Sequence, residues 1–146
     1  MTTVAYRAGV LASDGQSVGD AGTIFSKTAE KIRRMADGRL VGVVGELAHG
    51  NAVVAWLEKG AQGPQPDSKE SRVIVVEKLD RLTLYEGTGF IKVKTRFEAW
   101  GSGASAALAA MHMGADAIKA VVIACKVDCY SGGRVRALSI RGGSGE

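Results

Sequence analysis

Apolar and polar positions follow two different periods along this chain. "TTVAYRAG" (residues 2–9) and "VLASDGQ" (10–16) are short β-forming runs that meet at Ala8-Gly9, which predicts a hairpin. "RLVGVVGE" (39–46) is an unbroken apolar run of the kind found in strands covered on both faces. "LAHGNAVVAWLEKG" (47–60) spaces Leu47, Val54, Trp56 and Leu57 ahead of Gly60, and so predicts a short helix stopped by a glycine. Residues 60–71, "GAQGPQPDSKES", hold both prolines of the chain and read as an exposed loop.

Strand patterns return in "RVIVVEK" (72–78), "RLTLYEG" (81–87) and "GFIKVKTRFEAW" (89–100). Turns at "LD" and "GTG" make these a predicted antiparallel meander. The period then changes. "ASAALAAMHMG" (104–114) and "ADAIKAVVIACKVD" (115–128) are Ala-rich helical stretches separated at Gly114, "GGRVRALSI" (132–140) is a closing strand, and 142–146 reads as a flexible tail. Hairpin-linked strands on either side of helices imply an α+β sandwich, two antiparallel sheets each burying a face against helices, in a single domain over 1–146.

Composition narrows the function classes. With 146 residues, 46% hydrophobic and 23% charged, the chain matches one ordinary globular domain. It has no membrane-length apolar stretch and no basic, apolar leader, so a cytoplasmic protein with no membrane partner is expected. Cys125 and Cys129 share one apolar segment and read as small core residues. His49 and His112 stand at no metal-ligand spacing from them, and neither a metal nor an organic cofactor is expected. The net charge of +4 comes from basic residues interspersed with acids and apolar residues, as in "EKIRRMADGR", which argues for a solvated basic face rather than a nucleic-acid groove. "GSGAS" lacks the Lys-Ser/Thr ending of a phosphate-binding loop.

The leading end carries the candidate chemistry. A threonine hydroxyl needs a nearby base to become a nucleophile, and a free α-amine, with an ordinary pKa of about 7.7–8.0, is the one base an N-terminal residue carries with it. Removal of Met1 would leave Thr2 with both groups. Read plainly, Thr2-Thr3 only begins a strand, where threonine is favoured.

"ASDGQ", "EKIRRM", "VVGE", "WGSGAS" and "VDCYSGG" follow the leading "TT" in an order and spacing that resemble the N-terminal-nucleophile (Ntn) hydrolases of the proteasome β-subunit and HslV peptidase family, over nearly the whole chain. The resemblance implies a four-layer αββα sandwich, here shortened, and threonine-type endopeptidase activity. It implies that Thr2 is the nucleophile, that Asp14 faces Lys31 and compensates its charge, and that the lysine lowers the pKa of the hydroxyl. Gly45 would offer its N–H to the oxyanion, while Ser102, Asp128 and Ser131 would orient the amine and relay its proton.

Each position also has a plainer use. Lys31 could be a solvated surface lysine, Gly45 a turn, Ser102 a helix cap and "DCYSGG" a simple turn. "TAEKIRRM" by local propensity forms a helical turn, whereas the resemblance places Lys31 at the start of a strand. Strand alternation there would turn Ile32 inward and put Lys31 with Arg33 on the opposite face.

The loop at 60–71 stands where the family has the end of one helix and a second one. The resemblance further implies peptide or unfolded protein as substrate, a homo-oligomeric ring enclosing the sites, and an AAA+ unfoldase partner. The rival expectation is a catalytically inactive ring or scaffold protein of the same fold that retains Met1.

Overall fold

The computed structural model describes residues 2–19, 21–141 and 144–145. Its elements are β1 (Thr3–Arg7), β2 (Val10–Ser13), β3 (Ser17–Val18), β4 (Ile24–Ser26), β5 (Ile32–Arg34), β6 (Leu40–Val44), α1 (Leu47–Glu58), β7 (Arg72–Lys78), β8 (Arg81–Glu86), β9 (Gly89–Lys94), β10 (Phe97–Gly101), α2 (Ala104–His112), α3 (Ala117–Val127), β11 (Arg136–Ser139) and β12 (Ser144–Gly145). One antiparallel sheet has the order β10-β1-β2-β11-β12 and the other the order β5-β6-β7-β8-β9, with β3 and β4 as a separate small hairpin.

Alternation within each strand decides what lies on each face. In the first sheet Val4, Tyr6, Leu11 and Trp100 point to the second sheet, where Ile32, Leu40, Val44, Ile74, Val76 and Leu82 meet them. The opposite face of the first sheet carries Ala5, Ala12, Ala99 and Ala137, packed against Ala107, Met111, Ala117, Ala120, Val121 and Ala124 of α2 and α3. Small side chains on both surfaces let the helices approach closely. Val41, Val43, Val73 and Val75 of the second sheet cover Val53, Val54 and Leu57 of α1. The layers therefore run α2/α3, sheet, sheet, α1, the four-layer αββα sandwich. The central strands β6 and β7 are covered on both faces, which explains their nearly continuous apolar runs, while the edge strand β9 is largely exposed.

Three stretches differ from the sequence reading. "GFIKVKTRFEAW" is two strands rather than one: β9 is an edge of the second sheet and β10 an edge of the first, and the chain crosses between sheets at Thr95-Arg96. There Thr95 N–H donates to Asp80 O and Arg96 O accepts from Ala8 N–H, so the backbone pairs with turns of both sheets. Alternation continues through the crossing and hides it. The β3–β4 hairpin was not expected. Cys129 is exposed and Cys125 half-buried against the helix-side core, rather than both lying in the core. Residues 60–71 form neither helix nor strand. Of the stretch 142–146, Ser144–Gly145 pair with Ala137–Leu138, and Gly142, Gly143 and Glu146 lie outside the described residues. Among the described residues no helix is long and apolar enough to cross a membrane.

Far from the N-terminus, Tyr6 links the sheets. Its hydroxyl donates to Asp80 Oδ1 and accepts from the N–H groups of Asp80 and Gly9, at 3.0, 2.7 and 3.0 Å. Tyr6→Phe leaves both N–H groups without their acceptor, so urea unfolding should show a loss of about 1–3 kcal/mol. Unchanged stability would show that water replaces the phenol there.

Candidate active site

Asp14 extends the β1–β2 ladder by one residue, its N–H donating to Thr3 O at 3.1 Å. Its side chain turns into the protein, and Lys31 Nζ donates to Oδ1 at 2.9 Å, the two side chains being 0% and 2% exposed. Thr3 N–H also donates to Oδ1 (3.1 Å), while Gly132 and Gln16 N–H donate to Oδ2 (3.1 and 3.4 Å). Lys31 donates in addition to Gln16 O at 2.6 Å.

Lys31 lies just before β5, its carbonyl accepting from Val43 N–H. It thus belongs to the strand side of the two sequence readings. Because it precedes the regular strand, alternation does not set its direction: Lys31 and Ile32 are both buried, and Arg33 and Arg34 are exposed. Burial pushes the Lys31 ammonium below its ordinary pKa, and Asp14 opposes that shift.

A second cluster forms where α3 ends. Ser102 Oγ and Ser131 Oγ each donate to Asp128 Oδ2 at 2.6 Å, and Tyr130 N–H donates to Oδ1 at 3.3 Å. Partial burial raises the Asp128 pKa, yet the hydroxyl and amide donors outweigh it and hold the carboxyl below the usual range. Ser102 is not a helix cap: the cap position of α2 is Gly103, with no side-chain hydrogen bond.

Thr2 lies between the clusters and is 2% exposed. Ser102 Oγ stands 3.5 Å from its carbonyl oxygen. On the other side, the next residue shares Asp14 Oδ1 with Lys31. Gly101 explains the first glycine of "WGSGAS": at φ +100°, a Cβ there would stand 1.9 Å from Thr2 O. Thr3 was passed over in the sequence as an ordinary strand residue, yet its Oγ1 stands 2.6 Å from Ser131 Oγ and its N–H binds Asp14. Gln16 was also missed, and nothing in its sequence surroundings marks it. Met1 lies outside the described residues.

Six of the seven candidates are therefore gathered at one end of the sandwich. Gly45 is joined to them only through the fold. It ends β6 at φ +93°, where a Cβ would meet Ser71 Cα at 2.9 Å. Its strand crosses β1 at Gly42, whose missing Cβ would lie 3.5 Å from Val4 Cγ1.

The arrangement brings the Asp14–Lys31 pair to the amide of Thr3, next in the chain to Thr2, and the Asp128 carboxylate with its two hydroxyls to the Thr2 carbonyl. Such a pair of environments can favour an ionised hydroxyl and orient an amine. The nearby Cys125 is a poor competitor as nucleophile, because burial pushes its thiol up to about 11. Among the described residues no group of three or more His, Cys, Asp or Glu could hold a metal ion.

No protein-family model matches the chain. No curated protein matches it by sequence. Its fold is nevertheless the Ntn fold of a solved HslV. The chain is similar to the eukaryotic HslV of Trypanosoma brucei with a TM-score of 0.71, covering 94% of this chain and 98% of that one, at 21% identity.

Two measurements test the site. Asp14→Ala removes the counter-charge of a buried ammonium and leaves three amides without their acceptor, so urea unfolding should show a loss of about 3–5 kcal/mol. Lys31→Met, which leaves the carboxylate its three amide donors, should cost less; the reverse ranking would refute this account of the pair. Asp128 gives a pH signature. With its folded pKa depressed, its stabilising contribution is complete above the unfolded value of about 3.9 and is lost as pH falls through the folded value. Ser102→Ala removes one donor and should move the acid-unfolding midpoint to higher pH.

Proposed function

We propose that the chain is a threonine-type endopeptidase that uses Thr2, freed by removal of Met1, as its nucleophile. The supporting observation is the place of Thr2: its carbonyl meets Ser102 of the Asp128 cluster, and the adjacent Thr3 N–H shares Asp14 Oδ1 with Lys31. In this reading the amine of Thr2 takes the proton of its own hydroxyl, directly or through a water, while the Lys31 ammonium favours the alkoxide. The oxygen attacks a peptide carbonyl, and the Gly45 N–H stabilises the oxyanion, a donor typically worth about 10²–10³ in rate. The amine returns the proton to the leaving amine of the product, and water then hydrolyses the acyl ester. Neither a metal nor an organic cofactor enters the scheme.

Such a nucleophile, unenclosed, would attack cellular proteins at large. The reading therefore includes a cytoplasmic homo-oligomeric ring taking peptides or unfolded protein, with an AAA+ unfoldase as a further partner. Exposed apolar side chains on the outer helical layer, Met113 at 90% and Val127 at 71%, favour association.

A second reading has its own support, since Thr2 is 2% exposed. A ring or scaffold protein that keeps Met1 would need no access to that hydroxyl. Intact mass decides first: the peptidase should be one methionine lighter than the full sequence. Fluorogenic peptide hydrolysis should then fall by at least about 10³-fold in Thr2→Ala. Equal rates would remove Thr2 from the mechanism, and a retained Met1 would favour the scaffold.

A further inference from the structure

A hydroxyl has one proton, and that count orders the contacts around Asp128. Ser131 Oγ stands 2.6 Å from Asp128 Oδ2 and 2.6 Å from Thr3 Oγ1. The carboxylate, ionised at neutral pH, can only accept. The Ser131 proton therefore goes to Asp128, and the short contact with Thr3 has one remaining arrangement: Thr3 Oγ1 donates and Ser131 Oγ accepts. At Ser102 the 2.6 Å contact with Asp128 likewise takes the proton in preference to the 3.5 Å contact with Thr2 O. The hydrogen bonds thus form a directed chain, from Thr3 to Ser131 to Asp128, with Ser102 entering from the other side.

The Thr3 hydroxyl occupies a slot made for it. A Cβ on Gly103 would fall 2.0 Å from Thr3 Oγ1, and Thr3 is 0% exposed, so nothing but Ser131 takes its proton among the contacts the structure shows. Its N–H is held by Asp14. The side chain is therefore fixed from both ends of the residue.

We propose that Thr3 is a positioning residue: by donating to Ser131 Oγ it holds that serine in the orientation in which its proton goes to Asp128, so that Ser131 cannot donate to the lone pair of the Thr2 amine. That lone pair then stays available for the hydroxyl proton of Thr2, and Ser131 Oγ can only accept from the amine. Donation from Thr3 also polarises Ser131 and strengthens its bond to Asp128. The kinetic part of this inference rests on the Thr2 peptidase reading; the ordering of protons at Asp128 does not.

The test compares the full chain with Thr3→Val, which keeps the shape and the amide bond to Asp14, and Thr3→Ser, which keeps the hydroxyl. Asp128 is followed by carboxyl 13C NMR titration, its signal assigned with Asp128→Asn. Thr3→Val should raise the Asp128 pKa by roughly a few tenths of a unit, from the loss of one cooperative bond, and Thr3→Ser should restore it. On peptide substrate, kcat should fall roughly tenfold in Thr3→Val with KM unchanged, and recover in Thr3→Ser. An unmoved Asp128 titration in Thr3→Val, or failure of Thr3→Ser to restore it, would overturn the proposal even where both variants lose thermal stability. A wild type that titrates as expected but cleaves nothing would instead overturn the peptidase reading and leave the proton order standing.

Discussion

The buried pair of Asp14 and Lys31 is the constraint on which the site end of the molecule depends. Removing two charges from water is expensive, and their mutual attraction offsets that only when the remaining donors and acceptors are also satisfied. Here Asp14 takes the ammonium and three amides, from Thr3, Gln16 and Gly132, while Lys31 also reaches Gln16 O. The partners come from the start of β1, the residues after β2, the residue before β5 and the turn before β11. Because β1 and β2 belong to one sheet and β5 to the other, the pair joins the two sheets at one end of the sandwich. Tyr6 and Asp80 join them at the other end. Between these polar links the inter-sheet core is apolar.

This explains how the N-terminus is held. Thr3 is clamped through its N–H to Asp14 and through its hydroxyl to Ser131, and the Thr2 carbonyl lies against Gly101, where no side chain fits. The Asp128 group reaches the same place from the helical layer, since α3 ends at Val127 and packs on β1 and β2 through alanines. Two polar groups from different layers therefore meet at the first residues of a strand, a segment that elsewhere tends to fray.

Much of the architecture was legible. The helices at 47–58, 104–112 and 117–127 follow from apolar spacing and from glycines at 60 and 114, and the unbroken apolar run of β6 announced a strand covered on both faces. What failed had physical causes. The crossing at Thr95-Arg96 left no trace because alternation runs through it. The inward turn of Lys31 was invisible because it sits one residue outside regular strand geometry. Ser102 looked like a cap, since helix starts commonly use serine so, and only a carboxylate 26 residues away in sequence draws it off. Thr3 carried no signal at all, because a strand threonine is unremarkable until its two partners are known. The resemblance to Ntn hydrolases brought six separate positions to one place that residue-level reasoning had no means to join.

The short connection between α1 and β7 bears unequally on the site. Residues 60–71 are anchored by Trp56 Nε1 to Gly63 O, Gln65 Nε2 to Gly89 O and Ser68 N–H to Gly87 O, all contacts to α1 and the β8–β9 turn. None of the residues around Asp14 or Asp128 comes from this stretch, so its length is free to vary without disturbing them. Gly45 is different. Ser71 closes its side-chain face and donates from Oγ to Glu46 O at 2.6 Å, so the end of the loop fixes the backbone on which the oxyanion donor is proposed to sit. The end of the loop and the turn at Gly45 therefore meet at one position, Ser71, whose hydroxyl holds the carbonyl of the next residue, Glu46.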